Sequence, residues 1–335
     1  MLTKFIAGIA HVIWKDGRRK KALYVLVFFS FSLPIAAISV YHVVSVDRDA
    51  TERALRQRQY LATSTATALE EKLDSISNFV TLFADHPQIR YLASQKKWNE
   101  VIDYAELFSV LDNQSFIEGI FFTDPQGKGE GSIPLTPGLV GQDFSFRDWY
   151  GGVVRTGRVY LSEAYQRMSE PQYNIVAIAA PIIGDNGLLA GIVGFQMRLE
   201  HFANWAKAIN TNSHGLISIV DQSGRIVSYP QSSSLGGVIV DFPDPLIANN
   251  LNKRETGANV IFNSLEKEKQ VIAFAPITGY GWGLVVQQNT TDAFAQRTKS
   301  RLAHGIALGL LLVWGLFLIY LMLKAVEHSQ DHRKT

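Results

Sequence analysis

The chain has 335 residues, with 32 Lys and Arg against 30 Asp and Glu and a formal charge of +2. The length is that of about two domains, and the near balance of charge excludes nucleic acid or another polyanion recruited by bulk charge. Cysteine is absent, which excludes disulfides, thiolate metal sites, a Cys nucleophile and a CxxC redox pair.

An apolar fraction of 47% and a mean hydropathy of +0.05 are high for a water-soluble chain, and the excess sits in two blocks. Ala22 to Val46 and Leu302 to Leu323 carry no Asp, Glu, Lys or Arg. Crossing a hydrocarbon core takes ~20 apolar residues in a helix, so both blocks are expected to be transmembrane helices. The first is longer than a signal-peptide core and ends in Tyr41 and His42 rather than at small residues, so it is expected to be an uncleaved anchor. Lys15, Arg18, Arg19, Lys20 and Lys21 just before it set residues 1–21 in the cytoplasm. Residues 47–301 are then extracytoplasmic and 324–335 form a short cytoplasmic tail.

A long helix follows the first block, over 47–97. Leu55, Ala62, Leu69, Ile76 and Phe83 recur every seven residues, with Gln59, Ala66, Leu73 and Val80 between them. This is an a/d-type stripe. It can pack on its own domain or pair between subunits as a stalk. Pro87 ends the pattern.

Beyond Trp98 the texture is strand and turn, and it repeats. IEGIFFTDPQG (Ile117–Gly127) and LISIVDQSGRIV (Leu216–Val227) are apolar runs with an Asp-x-x-Gly turn, each read as a strand entering a tight turn. Ala180-Pro181-Ile182 and Ala275-Pro276-Ile277 mark a second matched pair of strands. The turn Asp and the Pro lie 57 residues apart in the first copy and 55 in the second. Two tandem α+β domains are expected, over 98–205 and 206–296.

In the first copy, Arg147-Asp148-Trp149-Tyr150 places a guanidinium beside two aromatics. Arginine grips a carboxylate through two parallel hydrogen bonds, and Trp and Tyr can wall a pocket. Tyr165 adds a hydroxyl if the chain returns past this point. A surface Arg next to two core aromatics would read the same way.

The arrangement of span, long helix, two sheet domains and span resembles a double Cache sensor, the tandem PAS-like extracytoplasmic module of bacterial chemoreceptors, sensor histidine kinases and diguanylate cyclases. The resemblance covers roughly Asp47–Arg301. It rests most on FSFRDWYGGVVRTGRVYLSEAY (Phe144–Tyr165), the Ala-Pro strand pair, and the ending YGWGLVVQQNTTDAFA (Tyr280–Ala295). It implies an α+β fold: a long N-terminal helix and two tandem Cache antiparallel-sheet domains, flanked by two transmembrane helices. In the amino-acid-sensing subset an Arg-x-Trp-Tyr element holds the ligand carboxylate, which points to Arg147, Trp149, Tyr150 and Tyr165. The family Tyr five residues before the Arg is Gln142 here, and Gln196 stands where an Asp holding the ligand ammonium is expected. A neutral Gln does not balance an ammonium charge, so the resemblance is read as a site for a small carboxylate or amino-acid-like ligand without an essential amine.

The second copy carries no such element; it reads DFPDPLIANN (Asp241–Asn250) at the equivalent place. No P-loop, GxGxxG, HExxH or GxSxG is present, so neither an enzyme, a metal site nor a cofactor is expected. Gly305-x-x-x-Gly309 in the second block is a small-residue face for helix pairing; with the stalk it suggests a homodimer in the bilayer. The short inner tail requires either a cytoplasmic or membrane signalling partner or a longer receptor of which this is the sensory half. A docking scaffold with no ligand of its own, and an anchored enzyme, are the competing readings.

Overall fold

The computed structural model describes residues 17–107, 116–209, 215–229, 239–242, 244–263 and 267–331. The start of the expected cytoplasmic segment and the last four residues of the tail lie outside them. Leu55–Asp292 form one compact unit; the described parts of Met1–Ala54 and Ala293–Thr335 form another.

The first unit is helical. Helix α1, Gly17–Ala84, contributes its first part, and the last helix of the chain, Ala295–Asp331, contributes the rest. Gly315 of that last helix lies against Phe28, whose ring carbon would be 2.4 Å from any added Cβ. A glycine there lets the two helices meet closely. Among the described residues no helix is long and apolar enough to cross a membrane.

The second unit contains the rest of α1, two short helices, α2 (Pro87–Ser94) and α3 (Trp98–Glu106), and two antiparallel sheets. Helix α1 stops at Ala84, and Pro87 opens α2 in its first turn, where the missing N–H costs nothing. The expected long helix over 47–97 is therefore two helices, the rest of α1 and the whole of α2, with α3 starting just beyond at Trp98.

The first sheet holds β1 (Gly119–Thr123), β2 (Gly129–Ile133), β3 (Tyr160–Leu161), β4 (Tyr165–Gln166), β5 (Asn174–Ile183) and β6 (Leu189–Arg198). Its order is β2-β1-β6-β5-β3, with β4 also on β5. Helix α4 (Asp148–Thr156) precedes β3, and α5 (Leu199–Ile209) leads to the second sheet. That sheet holds β7 (Leu216–Val220), β8 (Ile226–Ser228), β9 (Gly257–Asn263), β10 (Glu268–Ile277) and β11 (Trp282–Asn289), in the order β8-β7-β11-β10-β9. Helix α6 (Pro245–Asn252) lies between β8 and β9; α7 (Thr290–Ala293) and α8 (Ala295–Asp331) close the chain.

The repeat holds at the level of single hydrogen bonds. Asp124 Oδ1 accepts the amides of Gln126 and Lys128 at 2.9 and 2.8 Å. Asp221 Oδ1 accepts those of Ser223 and Arg225 at 3.0 and 2.9 Å. Gly127 and Gly224 follow with φ of 85° and 86°, a left-handed turn position that glycine takes without steric cost. Pro181 and Pro276 each lie just past the stretch of their strand that pairs with β3 or β9, where the absent N–H leaves no ladder bond unmade.

Alternation along the strands gives each sheet two buried faces. Val176, Ile178, Ala180, Val193, Phe195 and Met197 of the first sheet, and Ile217, Ile219, Ala273, Ala275 and Val286 of the second, share a core with Ala62, Ala66, Leu69, Leu73, Ile76, Val80 and Phe83 of α1. Phe79 and Phe83 both meet Phe195 edge-on at 5.6 Å. From Ala62 onward the heptad stripe is thus spent inside its own chain, at ~1.5–3 kcal/mol per large apolar side chain. The opposite face of the first sheet buries Phe121, Leu139, Trp149, Val153, Ala177, Ala179 and Ile192, and it is there that the candidate site lies.

Candidate ligand-binding site

The segment before α4 is laced onto the β1–β2 hairpin. Gly129 N–H donates to Gln142 O at 2.8 Å, Gly141 N–H to Gly129 O at 2.7 Å, and Phe144 N–H to Gly127 O at 2.9 Å. Asp143 Oδ1 accepts Ser145 N–H at 2.8 Å, an Asx turn that aims the chain into the helix. Arg147 becomes the N-cap of α4 in an extended conformation. Asp148 follows in the first turn, where a carboxylate suits the helix dipole.

Arg147 is half-buried. Its guanidinium lies over the Tyr165 ring at 4.3 Å and over Phe146 at 5.0 Å, two cation–π contacts. Nη2 donates to the Gln166 carbonyl at 3.3 Å, while Nε is buried without a hydrogen-bond partner in the protein. Burial lowers the Arg147 pKa, and the neighbouring Tyr165 and Asp148 act against that; burial also raises that of the Tyr165 hydroxyl. Tyr165 therefore stays a neutral donor and acceptor.

Trp149 is 1% exposed and meets Phe121 at 4.9 Å. Gly194 makes room for Phe121, whose ring would be 2.1 Å from a Cβ there. Tyr150 points elsewhere: its hydroxyl donates to Pro125 O at 3.0 Å, tying α4 to the Asp124 turn. Gln142 donates from Nε2 to Met168 Sδ at 3.6 Å. Gln196, on β6 opposite Gly119 and Ala177, has no side-chain hydrogen bond among the described residues.

Two cavities adjoin here. The smaller, ≈ 20 Å³, is lined by Arg147, Trp149, Tyr165, Arg167 and Gln196 among others; it has room for about one water. The larger, ≈ 240 Å³, is lined by Glu118, Thr136, Arg167, Tyr173, Gln196 and Arg198 among others. Arg167 and Gln196 face both. The geometry thus brings Arg147, Trp149, Tyr165 and Gln196 to the lining of one cavity. Tyr150 and Gln142 line neither cavity.

Sequence reasoning missed the polar wall of the larger cavity. Arg167 donates to Tyr173 Oη and Thr136 Oγ1, both at 2.7 Å. Arg198 lies over the Tyr173 ring at 4.1 Å and pairs with Glu118, which also faces His201 at 3.8 Å. Period-2 alternation was the available clue: Arg167 is two residues after Tyr165, and Arg198 two after Gln196. Among the described residues no group of His, Asp and Glu could hold a metal ion.

A concave cavity with a few converging charged groups has the form of a small-molecule pocket. The model of the Cache domain family (dCache_1) matches residues 44–297. The chain belongs to the Cache domain family. Methyl-accepting chemotaxis protein TlpA of Bacillus subtilis is 21% identical over 88% of this chain and 42% of its own length. PscA of Pseudomonas syringae, also a methyl-accepting chemotaxis protein, is 24% identical over 55% of this chain and 27% of its own. The chain spans less than half the length of these relatives. The ligand-binding domain of the Pseudomonas fluorescens chemoreceptor CtaA, solved with L-isoleucine, superposes with a TM-score of 0.58 at 18% identity, over 74% of this chain and 98% of that one. That of the Pseudomonas aeruginosa amino acid chemoreceptor PctB, with L-Arg, gives 0.52 at 16% identity, over 73% and 94%. These likenesses establish the fold.

Proposed function

We propose that this chain is the sensory module of a bacterial membrane receptor, which binds a small carboxylate or amino-acid-like ligand on the first sheet and sends a conformational change toward the membrane. Arg147 carries the ligand half of this reading. A buried guanidinium N–H without a partner costs ~1–3 kcal/mol, and a bidentate carboxylate would satisfy it. The adjoining cavity of ≈ 240 Å³ is below the ~300 Å³ at which drug-sized sites begin, which suits a metabolite of a few heavy atoms. The amino acids bound to CtaA and PctB agree with a ligand of this class. Trp149 is the floor of the site, Tyr165 and Gln196 its polar walls, and Tyr150 and Gln142 hold the loop that presents Arg147.

Transmission is proposed to pass through the neighbours of those residues. Asp148 adjoins Arg147 and bonds the second copy's Gln222; Ala164 adjoins Tyr165 and donates to Asp221 at 2.9 Å. A ligand that binds one arrangement of this contact better than another shifts the second sheet.

Membrane anchoring through 22–46 and 302–323 is part of the same proposal. Leu302–Leu323 is uncharged and lies inside α8. Leu26, Phe29, Leu33, Ile38, Leu310 and Trp314 are all more than half exposed, a load that water tolerates badly and lipid does not. The basic cluster Arg18–Lys21 sets 47–301 on the extracytoplasmic side of the inner membrane. Gly305 and Gly309 have open space beside them and are the preferred homodimer contact, since the α1 stripe is occupied. The output goes to a cytoplasmic or membrane signalling partner, or to a signalling domain of a longer receptor.

The test is a thermal-shift screen of the full chain in detergent against small carboxylates and amino acids. A ligand at a hundred times its Kd stabilises by ~2.7 kcal/mol. A broad library that shifts nothing contradicts the proposal.

A further inference from the structure

The charges around the two cavities are unevenly matched. Arg198 is balanced by Glu118. Arg147 and Arg167 have no carboxylate within ion-pair distance among the described residues: the bonds of Arg147 go to a backbone carbonyl and those of Arg167 to two hydroxyls. Both line the smaller cavity, and Arg167 continues into the larger. The one acid left on the walls, Glu170, is exposed and accepts Gln172 N–H at 3.2 Å. Gln196, which lines both cavities, supplies no charge. Two partly buried cations on one site repel each other, and an anion that touches both removes that penalty.

We propose that Arg167 is a second anion-binding residue of this site, and that the ligand is a small dicarboxylate with one carboxylate on Arg147 and the other on Arg167. The proposal deepens the ligand reading above and rests on it. Guanidinium groups favour planar carboxylates because two N–H groups match two oxygens. An amine on the ligand gains nothing, because Glu118 already serves Arg198.

The experiment uses the full chain in detergent and calorimetric titration with succinate, monomethyl succinate, butyrate and aspartate. Succinate is expected to bind about tenfold more tightly than butyrate, the scale of one charge-assisted contact. Monomethyl succinate, similar in length but with one charge masked, is expected to match butyrate, with aspartate no better than succinate. Arg167→Gln should bring the succinate-to-butyrate ratio to about one while butyrate still binds. Monomethyl succinate requires no variant, so the idea is tested even if Arg167→Gln fails to fold. If succinate, its monoester and butyrate bind alike, or aspartate binds while succinate does not, the assignment of an amine-free dicarboxylate is wrong and the wider ligand reading stands. If no acid binds at all, both fall.

Discussion

The side-chain amide of Gln222 lies 3.5 Å from the Asp148 carboxylate, joining the helix that starts at Arg147 to the first turn of the second sheet. The same amide nitrogen lies 3.4 Å from Leu161 O, and its oxygen accepts the Trp282 indole N–H at 2.7 Å. Glu163 pairs with Arg225 beside it. The two copies of the repeat are therefore bonded to each other through the turns and strand ends that flank Arg147 and Tyr165.

Gln222→Ala removes the acceptor of a fully buried indole. The expected loss is ~1–3 kcal/mol of stability, the cost of an orphaned buried donor. Chemical unfolding followed by tryptophan fluorescence measures it. A midpoint equal to that of the unmodified protein would mean that Gln222 does not join the two sheets.

Asp148 titrates within reach of ordinary buffers. Burial, against the pull of the Glu163 N–H, raises its carboxyl pKa from 3.8 to about 6. The folded state thus holds its proton to higher pH than the unfolded chain. Between those two values the native protein binds more protons, so this group makes stability fall as pH rises. Asp148→Asn should remove that slope and leave the rest of the pH profile alone. A wild-type minus variant difference that is flat from pH 4 to 6.5 would refute the raised carboxyl.

How much of this was legible beforehand varies by residue. The stripe from Ala62 to Phe83 was readable because one helix face repeats every three to four residues. Which surface it covers was not, since that depends on strands more than a hundred residues later. The paired Asp-x-x-Gly turns were readable because few sequences satisfy a left-handed fourth position. Arg147, Trp149 and Tyr165 line one cavity, and the adjacency of 147 and 149 to 165 could be read only through the return of the chain after α4. Tyr150 could be placed only by seeing Pro125, and the Glu118–Arg198 pair spans 80 residues, which no local pattern encodes.

The absence of cysteine makes topology easy to test. Single substitutions Gln95→Cys and Lys324→Cys, both at exposed positions, should differ in intact cells. A membrane-impermeant maleimide is expected to label residue 95 and to reach residue 324 only after lysis. Labelling of both in intact cells would overturn the two-span arrangement.

The most direct test of the account is calorimetric titration of the screen's best acid into the full chain and into Arg147→Ala. The account predicts saturable binding to the unmodified protein and a loss of at least tenfold in the variant, as expected for a charge-assisted contact in a partly buried site. Equal affinity in the two proteins would place the ligand away from Arg147 and contradict the site described here.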